Sequence, residues 1–255
     1  MQQPVHVPLY EGERIDDLLT HELKIIQSHE VFCFSMDAVL LARFASVPKR
    51  GRVMDLCTGN GAIPLIMSTR SGEAVLEGLE IQQRLYDMAC RNILLNGLEK
   101  RIRIFHGDVR EAVTLFGYGQ YDLITCNPPY LPAASGEVNE RDHFAIARHE
   151  LLLNLEDVIR VSSQLLKNGG KLALVHRATR LIDIVTLMRQ YKIEPKKMRF
   201  VHPRRHAEPN MVLIEGMRNG RPELRIQPPL IVYEQGEEYC EELHQIYYGQ
   251  RDSLA

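Results

Sequence analysis

The chain has 255 residues, 45% hydrophobic and 25% charged, the balance of a soluble globular protein, which excludes disorder, collagen and coiled coil. Taken whole, its net charge of −2 argues against a phosphate-rich partner. Its five cysteines are widely spaced with no C-x-x-C pair, which excludes a disulfide framework and a zinc ribbon and points to a reducing cytosol.

The first residues, MQQPVHVPLYEGERIDD, lack the basic start and apolar core of a signal peptide, and no apolar run is long enough for a bilayer. The expectation is a soluble cytoplasmic protein without a membrane partner. Residues 1–50 form an N-terminal extension with one strong feature, SMDAVLLARFA, in which Ser35 caps a short apolar helix. From Arg52 the pattern alternates β-rich runs (52–56, 74–80, 102–106, 121–126, 171–176) with amphipathic helical segments (62–70, 82–96, 109–115, 149–166). That order predicts an α/β fold with a mostly parallel sheet covered on both faces. The last of these helices repeats Leu151, Leu152, Leu155, Val158, Ile159, Ser162, Leu165 and Leu166 at helical spacing and so presents one apolar face to the sheet. After His176 the order changes: a helix over 178–191, then two strands, 193–201 and 210–217, that predict an antiparallel hairpin at the sheet edge. With no linker or repeat, residues 51–235 read as one domain and 236–255 as an acidic tail.

The segment RVMDLCTGNGAIPLI is a buried strand, a glycine turn and a helix start, the place where open α/β sheets bind ligands. Gly59 and Gly61 let backbone approach a ligand, but Pro64 stands where a dinucleotide fingerprint needs its third glycine, and no G-K-[ST] follows. A pyrophosphate cofactor, and with it a nicotinamide oxidoreductase, is disfavoured. Asp55 before the turn suits a cation, since a carboxylate there holds an ammonium group by a charge-assisted hydrogen bond. Glu80 ends the next strand, where its oxygens can accept from both hydroxyls of a ribose, and Asp108 ends the third, where it can accept from an exocyclic amine. A lone acid at a strand end is usually only a helix cap. Three in register describe a cation, a ribose and an adenine, which together are S-adenosyl-L-methionine.

The fourth strand ends in Asn127, Pro128, Pro129 and Tyr130. The prolines stop the ladder and stiffen the loop. The Asn127 side-chain oxygen and the Pro128 carbonyl can both accept from one planar amine, and Tyr130 offers a face on which a base can stack. Such positioning suits in-line displacement on a methyl group and needs no strong base.

These residues resemble the NPPY-type class I S-adenosyl-L-methionine-dependent methyltransferases of the "methyltransferase small" group. Beyond that core, IIQSHEVFCFSMDAVLLARFA, DLCTGNG, NPPYLP, AIARHE and VHPRRHAEPNMVLIEG are similar to the tRNA(Val) adenine-N6-methyltransferase family, over about Ile25 to Gly216. The resemblance implies a seven-stranded Rossmann-like sheet, S-adenosyl-L-methionine as cofactor, and methylation of an adenine N6 in a tRNA anticodon loop. It places Asp55, Gly59 and Gly61 at the methionine half, Glu80 at the ribose, and Asp108 with Val109 at the adenine, and counts Cys57, Thr58, Ile81 and Asn127 among the cofactor-binding residues. Asn127, Pro128, Pro129 and Tyr130 become the target-amine site, and Phe34 and Asp37 lie near the cofactor from the extension. Cys57 and Asn60 depart from relatives, which often carry Gly or Thr there.

Charge by segment revises the first impression. From Arg189 to Arg225 ten Lys or Arg face four acids, a net +6, and five glutamates between Glu234 and Glu242 hide it in the sum. Lys196, Lys197, Arg199, Arg204, Arg205 and His206 are the candidates for contact with a tRNA, against the alternative of a solvated edge that blocks strand addition. His202 and His206 are separated by Pro203, which disfavours a helical metal pair, so no metal is expected. The rivals are another planar amine, such as an rRNA guanine N2 or a protein glutamine amide, and a non-catalytic module that binds cofactor or RNA.

Overall fold

A computed structural model of the chain describes residues 7–18, 22–29, 35–128, 153–234, 236 and 238–248. Its centre is built from runs too apolar to face water. Arg50–Leu56 (we number it β3), Glu73–Glu80 (β4), Ile102–His106 (β5), Tyr121–Cys126 (β6) and Leu166–Arg177 (β7) lie parallel, each central one buried on both sides, as parallel strands must be. Ile193–Arg204 (β8) and Met211–Arg218 (β9) form the expected hairpin, and β9 pairs antiparallel with β7. The order is β8-β9-β7-β6-β3-β4-β5, so the chain reverses its direction of travel across the sheet between β3 and β6.

Alternate residues face opposite layers. Val53 and Leu213 pack beneath Met36–Phe44 (α1), Ala62–Ser68 (α2) and the terminal Glu241–Tyr248 (α7). Met54 and Ile214 pack beneath Leu155–Leu165 (α5) and Leu181–Gln190 (α6), with Ala112–Phe116 (α4) beside them. The α5 stripe is buried as expected at Leu155, Val158, Ile159, Ser162 and Leu165. Asn154 caps it by accepting from the Asp157 N–H at 2.8 Å. Pro64 is tolerated because it occupies the first turn of α2, where N–H groups lack intrahelical partners. The stretch 149–152 of the expected helix lies outside the described residues.

Several features depart from the sequence reading. Residues 7–29 hold a hairpin of Glu13–Asp17 (β1) and Lys24–Ser28 (β2), unannounced because its strands are short and mixed in character. The main sheet has nine strands, since Arg225–Ile226 (β10) and Leu230–Tyr233 (β11) both run parallel to β8. They amount to one edge strand interrupted at Pro228 and Pro229, which cannot donate to a ladder. The acidic terminal segment contributes α7, whose Leu243 is fully buried. Ser35 precedes α1 as expected, yet its hydroxyl makes no capping bond. Among the described residues, no helix is long and apolar enough to cross a membrane.

Candidate active site

Where neighbouring connections leave a sheet in opposite directions, the loops splay and leave a crevice at the carboxyl ends of the strands. Here that point is the β3–β6 junction, and both Asp55 and Asn127 stand on it. Asp55 is buried, and its Oδ1 accepts from the Thr125 hydroxyl at 2.7 Å across the ladder. Its Oδ2 is buried with no hydrogen-bond partner. Burial pushes the carboxyl up to about 7, the Thr125 and Thr58 side chains opposing the shift and the nearby Glu80 adding to it. Asn127 Oδ1 is likewise buried without a partner among the described residues. Two unfilled acceptors at the same crevice are a costly arrangement for a fold alone, and they fit a ligand bringing N–H groups or positive charge.

The loop between β3 and α2 is wound tightly. Cys57, Gly59 and Gly61 all have positive φ, at 58°, 58° and 84°. Cys57 pays strain that a glycine would avoid, which gives a physical meaning to its departure from relatives. Glu80 is almost wholly buried, and its Oε2 accepts from the Gly59 N–H at 2.9 Å while Oε1 accepts from the Gln82 N–H at 2.8 Å. A carboxylate oxygen can accept more than one hydrogen bond, so this position is compatible with a ribose hydroxyl. Thr58 is buried against this strand, and Ile81 after Glu80 is exposed, with its carbonyl accepting from the His106 ring at 2.9 Å.

Asp108 behaves differently. Its carboxylate is bound by the Arg110 side chain through both oxygens and by the Arg110 N–H at 2.8 Å, capping the short turn Val109–Glu111. The Arg110 guanidinium holds it below the usual carboxylate range. Val109 is buried behind it. The helix-cap reading thus describes what Asp108 does in the folded chain, and any adenine amine would share it with Arg110. Asp37 lies half-buried in the first turn of α1, its carboxyl raised by desolvation. Arg70, just past α2, donates to the Ala45 carbonyl at 2.7 Å at the end of α1, so these packed helices end together and both begin toward the crevice. Phe34, Pro129 and Tyr130 lie outside the described residues.

The registers of β7, β9 and β8 bring the β8–β9 connection to the same edge as the crevice, three strand spacings or about 14 Å from β6. Arg204, Arg205 and His206 are exposed there, with the Arg204 guanidinium 5.8 Å from the centre of the Tyr233 ring. The other basic residues serve the fold. Lys197 reaches inward, donating to the Phe44 carbonyl at 2.7 Å and lying 3.7 Å from Glu215, and burial lowers its ammonium pKa. Arg199 makes a two-pronged pair with Glu242 of α7, both contacts at 2.7 Å. Lys196 donates to the Arg221 carbonyl at 3.0 Å. Among the described residues no group of three or more His, Cys, Asp or Glu could hold a metal, and His202 is turned onto the Ala207 carbonyl at 2.8 Å.

An open α/β sheet with its acids in this crevice is the framework of the class I S-adenosyl-L-methionine-dependent methyltransferases. The model of the methyltransferase small domain family matches residues 22–194, and the chain belongs to that family. It is 32% identical over 185 residues to a tRNA1(Val) (adenine(37)-N6)-methyltransferase of Porphyromonas gingivalis, covering 70% of this chain and 72% of that one. A protein of the same name from Parabacteroides distasonis is 31% identical, covering 70% and 74%. The fold is shared with a solved structure from Agrobacterium tumefaciens described as a predicted O-methyltransferase, with TM-score 0.66, 23% identity, and 83% and 95% of the two chains covered. The protein is therefore an S-adenosyl-L-methionine-dependent methyltransferase. Sequence reasoning missed Asn92 and Asn96, which fasten the N-terminal hairpin beside the cofactor loop. Their signal was present as polar residues on the inner face of an amphipathic helix.

Proposed function

We propose that the protein transfers a methyl group to the exocyclic N6 of an adenine in a tRNA, in the cytoplasm. The observation that carries this reading is the buried, unpartnered Asn127 Oδ1 at the end of β6. S-adenosyl-L-methionine supplies an electrophilic methyl on a sulfonium sulfur. Asp55 Oδ2 would hold its ammonium group, Glu80 its ribose, and Ile81 and Val109 its base. Asn127 Oδ1 and the Pro128 carbonyl accept the two hydrogens of the target amine, which turns the nitrogen lone pair away from them and toward the donated methyl. As the new C–N bond forms, the methyl–sulfur bond would break to leave S-adenosyl-L-homocysteine, and the nitrogen, acidic only at that stage, would lose its proton to solvent. Tyr130 and Pro129 are assigned to the face on which the flipped base rests.

For the substrate, the names of the relatives and the exposed Arg204, Arg205 and His206 at the crevice edge support a tRNA. Incubation with labelled S-adenosyl-L-methionine and total tRNA, rRNA and protein, followed by nucleoside and peptide analysis, tests the reading. Label is expected in N6-methyladenosine from tRNA. Label confined to N2-methylguanosine of rRNA or to protein glutamine would overturn it.

A further inference from the structure

The cofactor loop 57–61 bends left-handed at Cys57, Gly59 and Gly61, and a strained segment keeps its shape only if its surroundings hold it. Two restraints come from β4: the Thr58 N–H donates to the Leu79 carbonyl at 3.1 Å, and the Gly59 N–H to Glu80. The third comes from Gln83–Leu95 (α3) and the residue that ends it. Leu85, Ala89, Asn92 and Asn96 follow one another by four, three and four residues, so they share one face of the helix. That face meets both the loop and the outer edge of β2. Asn92 is fully buried. Its Nδ2 donates to the Asn60 carbonyl at 2.9 Å and to the Ile26 carbonyl at 3.4 Å, while its Oδ1 accepts from the Ile26 N–H at 2.6 Å. Asn60 returns a bond from its own Nδ2 to the Ile26 carbonyl at 3.3 Å. One turn on, Asn96 bonds both backbone groups of Lys24, at 2.9 and 2.7 Å, and its Nδ2 also donates to the Asn92 carbonyl at 2.7 Å.

We propose that Asn92 is a positioning residue for S-adenosyl-L-methionine binding, because its amide joins the N-terminal hairpin to the Asn60 carbonyl and so sets the curvature of the cofactor loop. Asn96 makes the matching bonds to β2, its Nδ2 donating also to the Asn92 carbonyl, and serves the attachment of the hairpin without bonding the loop. The two amides are thus alike in chemistry and differ in whether the loop is among their partners. Loss of the Asn92 amide leaves the Asn60 carbonyl and the Ile26 N–H buried without it, and the loop relaxes from the shape the ligand requires.

Asn92→Ala and Asn96→Ala are to be compared by calorimetric titration with S-adenosyl-L-homocysteine and by thermal melting. Both variants are expected to lower Tm, whereas only Asn92→Ala weakens Kd, by about tenfold. Equal Kd values in the two variants, whether both unchanged or both weakened, would overturn the proposal. Should Asn92→Ala fail to fold, Asn92→Asp keeps the acceptor for the Ile26 N–H but sets an oxygen against the Asn60 carbonyl. A weakened Kd in that variant supports the proposal, and an unchanged one overturns it.

Discussion

Asp55 and Glu215 are two carboxylates almost wholly buried in one sheet, 1% and 2% exposed, and they have opposite fates. Glu215, midway along β9, is satisfied from every side: Ser46 donates its N–H at 2.7 Å and its hydroxyl at 2.8 Å, and Lys171 and Lys197 stand at 3.4 and 3.7 Å. Asp55, at the carboxyl end of β3, keeps one oxygen with no partner. A buried charge whose bonds are complete belongs to the fold, whereas one left incomplete marks where a ligand finishes the structure. The same division runs along β8, where Lys197 and Arg199 are used internally, whereas Arg205 just beyond its end is exposed.

The sharpest way to break this comparison is at the other unfilled acceptor. Asn127→Ala is expected to lower kcat by roughly a hundred- to a thousandfold, as loss of one well-aimed polar group in an active site does, with cofactor Kd nearly unchanged. Parallel loss of cofactor binding would remove Asn127 from the amine site. Asp55→Asn should weaken S-adenosyl-L-homocysteine binding about 100-fold with Tm little changed, because the amide oxygen still accepts from Thr125 while the charge-assisted bond to the ligand is lost. A Tm drop without a change in Kd would reassign Asp55 to structure.

Glu215→Ala should do the reverse. Stripping one partner from a buried ionic cluster costs about 2–3 kcal/mol here, at the low end because Lys171 and Lys197 are partly exposed. That corresponds to a fall of about 5–10 °C in Tm, with cofactor Kd unaltered. On β8, the double variant Arg204→Glu with Arg205→Glu should raise the KM for tRNA about tenfold, more so at low salt, whereas Lys197→Ala should lower Tm and spare KM. A KM unaffected by the double variant would move the RNA contact elsewhere.

The parallel core was legible because its strands are continuous apolar runs between glycine turns and its helices carry one apolar stripe each, signals set by neighbours in sequence. The crevice was legible for the same reason: an acid or Asn at a strand end is placed by the strand. What escaped is whatever depends on partners far apart in the chain. The β1–β2 hairpin is held by a two-pronged pair of Arg91 with Glu13, at 2.6 and 2.8 Å, and by the Asn92 and Asn96 amides, none of which a local pattern foretells. Counting charge from Arg189 to Arg225 likewise says nothing about which cations meet Glu215 or Glu242 in space. For Asp108, only the geometry reveals that Arg110, two residues on, occupies its carboxylate.

Titration against pH tests whether the incompleteness of Asp55 is electrostatic. With its carboxyl near 7, the ligand-free folded protein holds a proton between about pH 4 and 7 that the unfolded chain has released. This group therefore stabilises the ligand-free fold at low pH, and the contribution is lost as pH rises through 7. A cationic ligand prefers the ionised carboxylate, so binding below pH 7 must expel that proton, and Kd should tighten by about tenfold per pH unit up to 7 and then level. Asp55→Asn should flatten both dependences. Calorimetric titration with S-adenosyl-L-methionine at pH 5.5, 6.5 and 7.5, in buffers of differing ionisation enthalpy, reads the affinity and the released proton together. A Kd independent of pH, with no proton released, would mean that Asp55 is already ionised in the empty crevice and that its free oxygen is a matter of geometry alone.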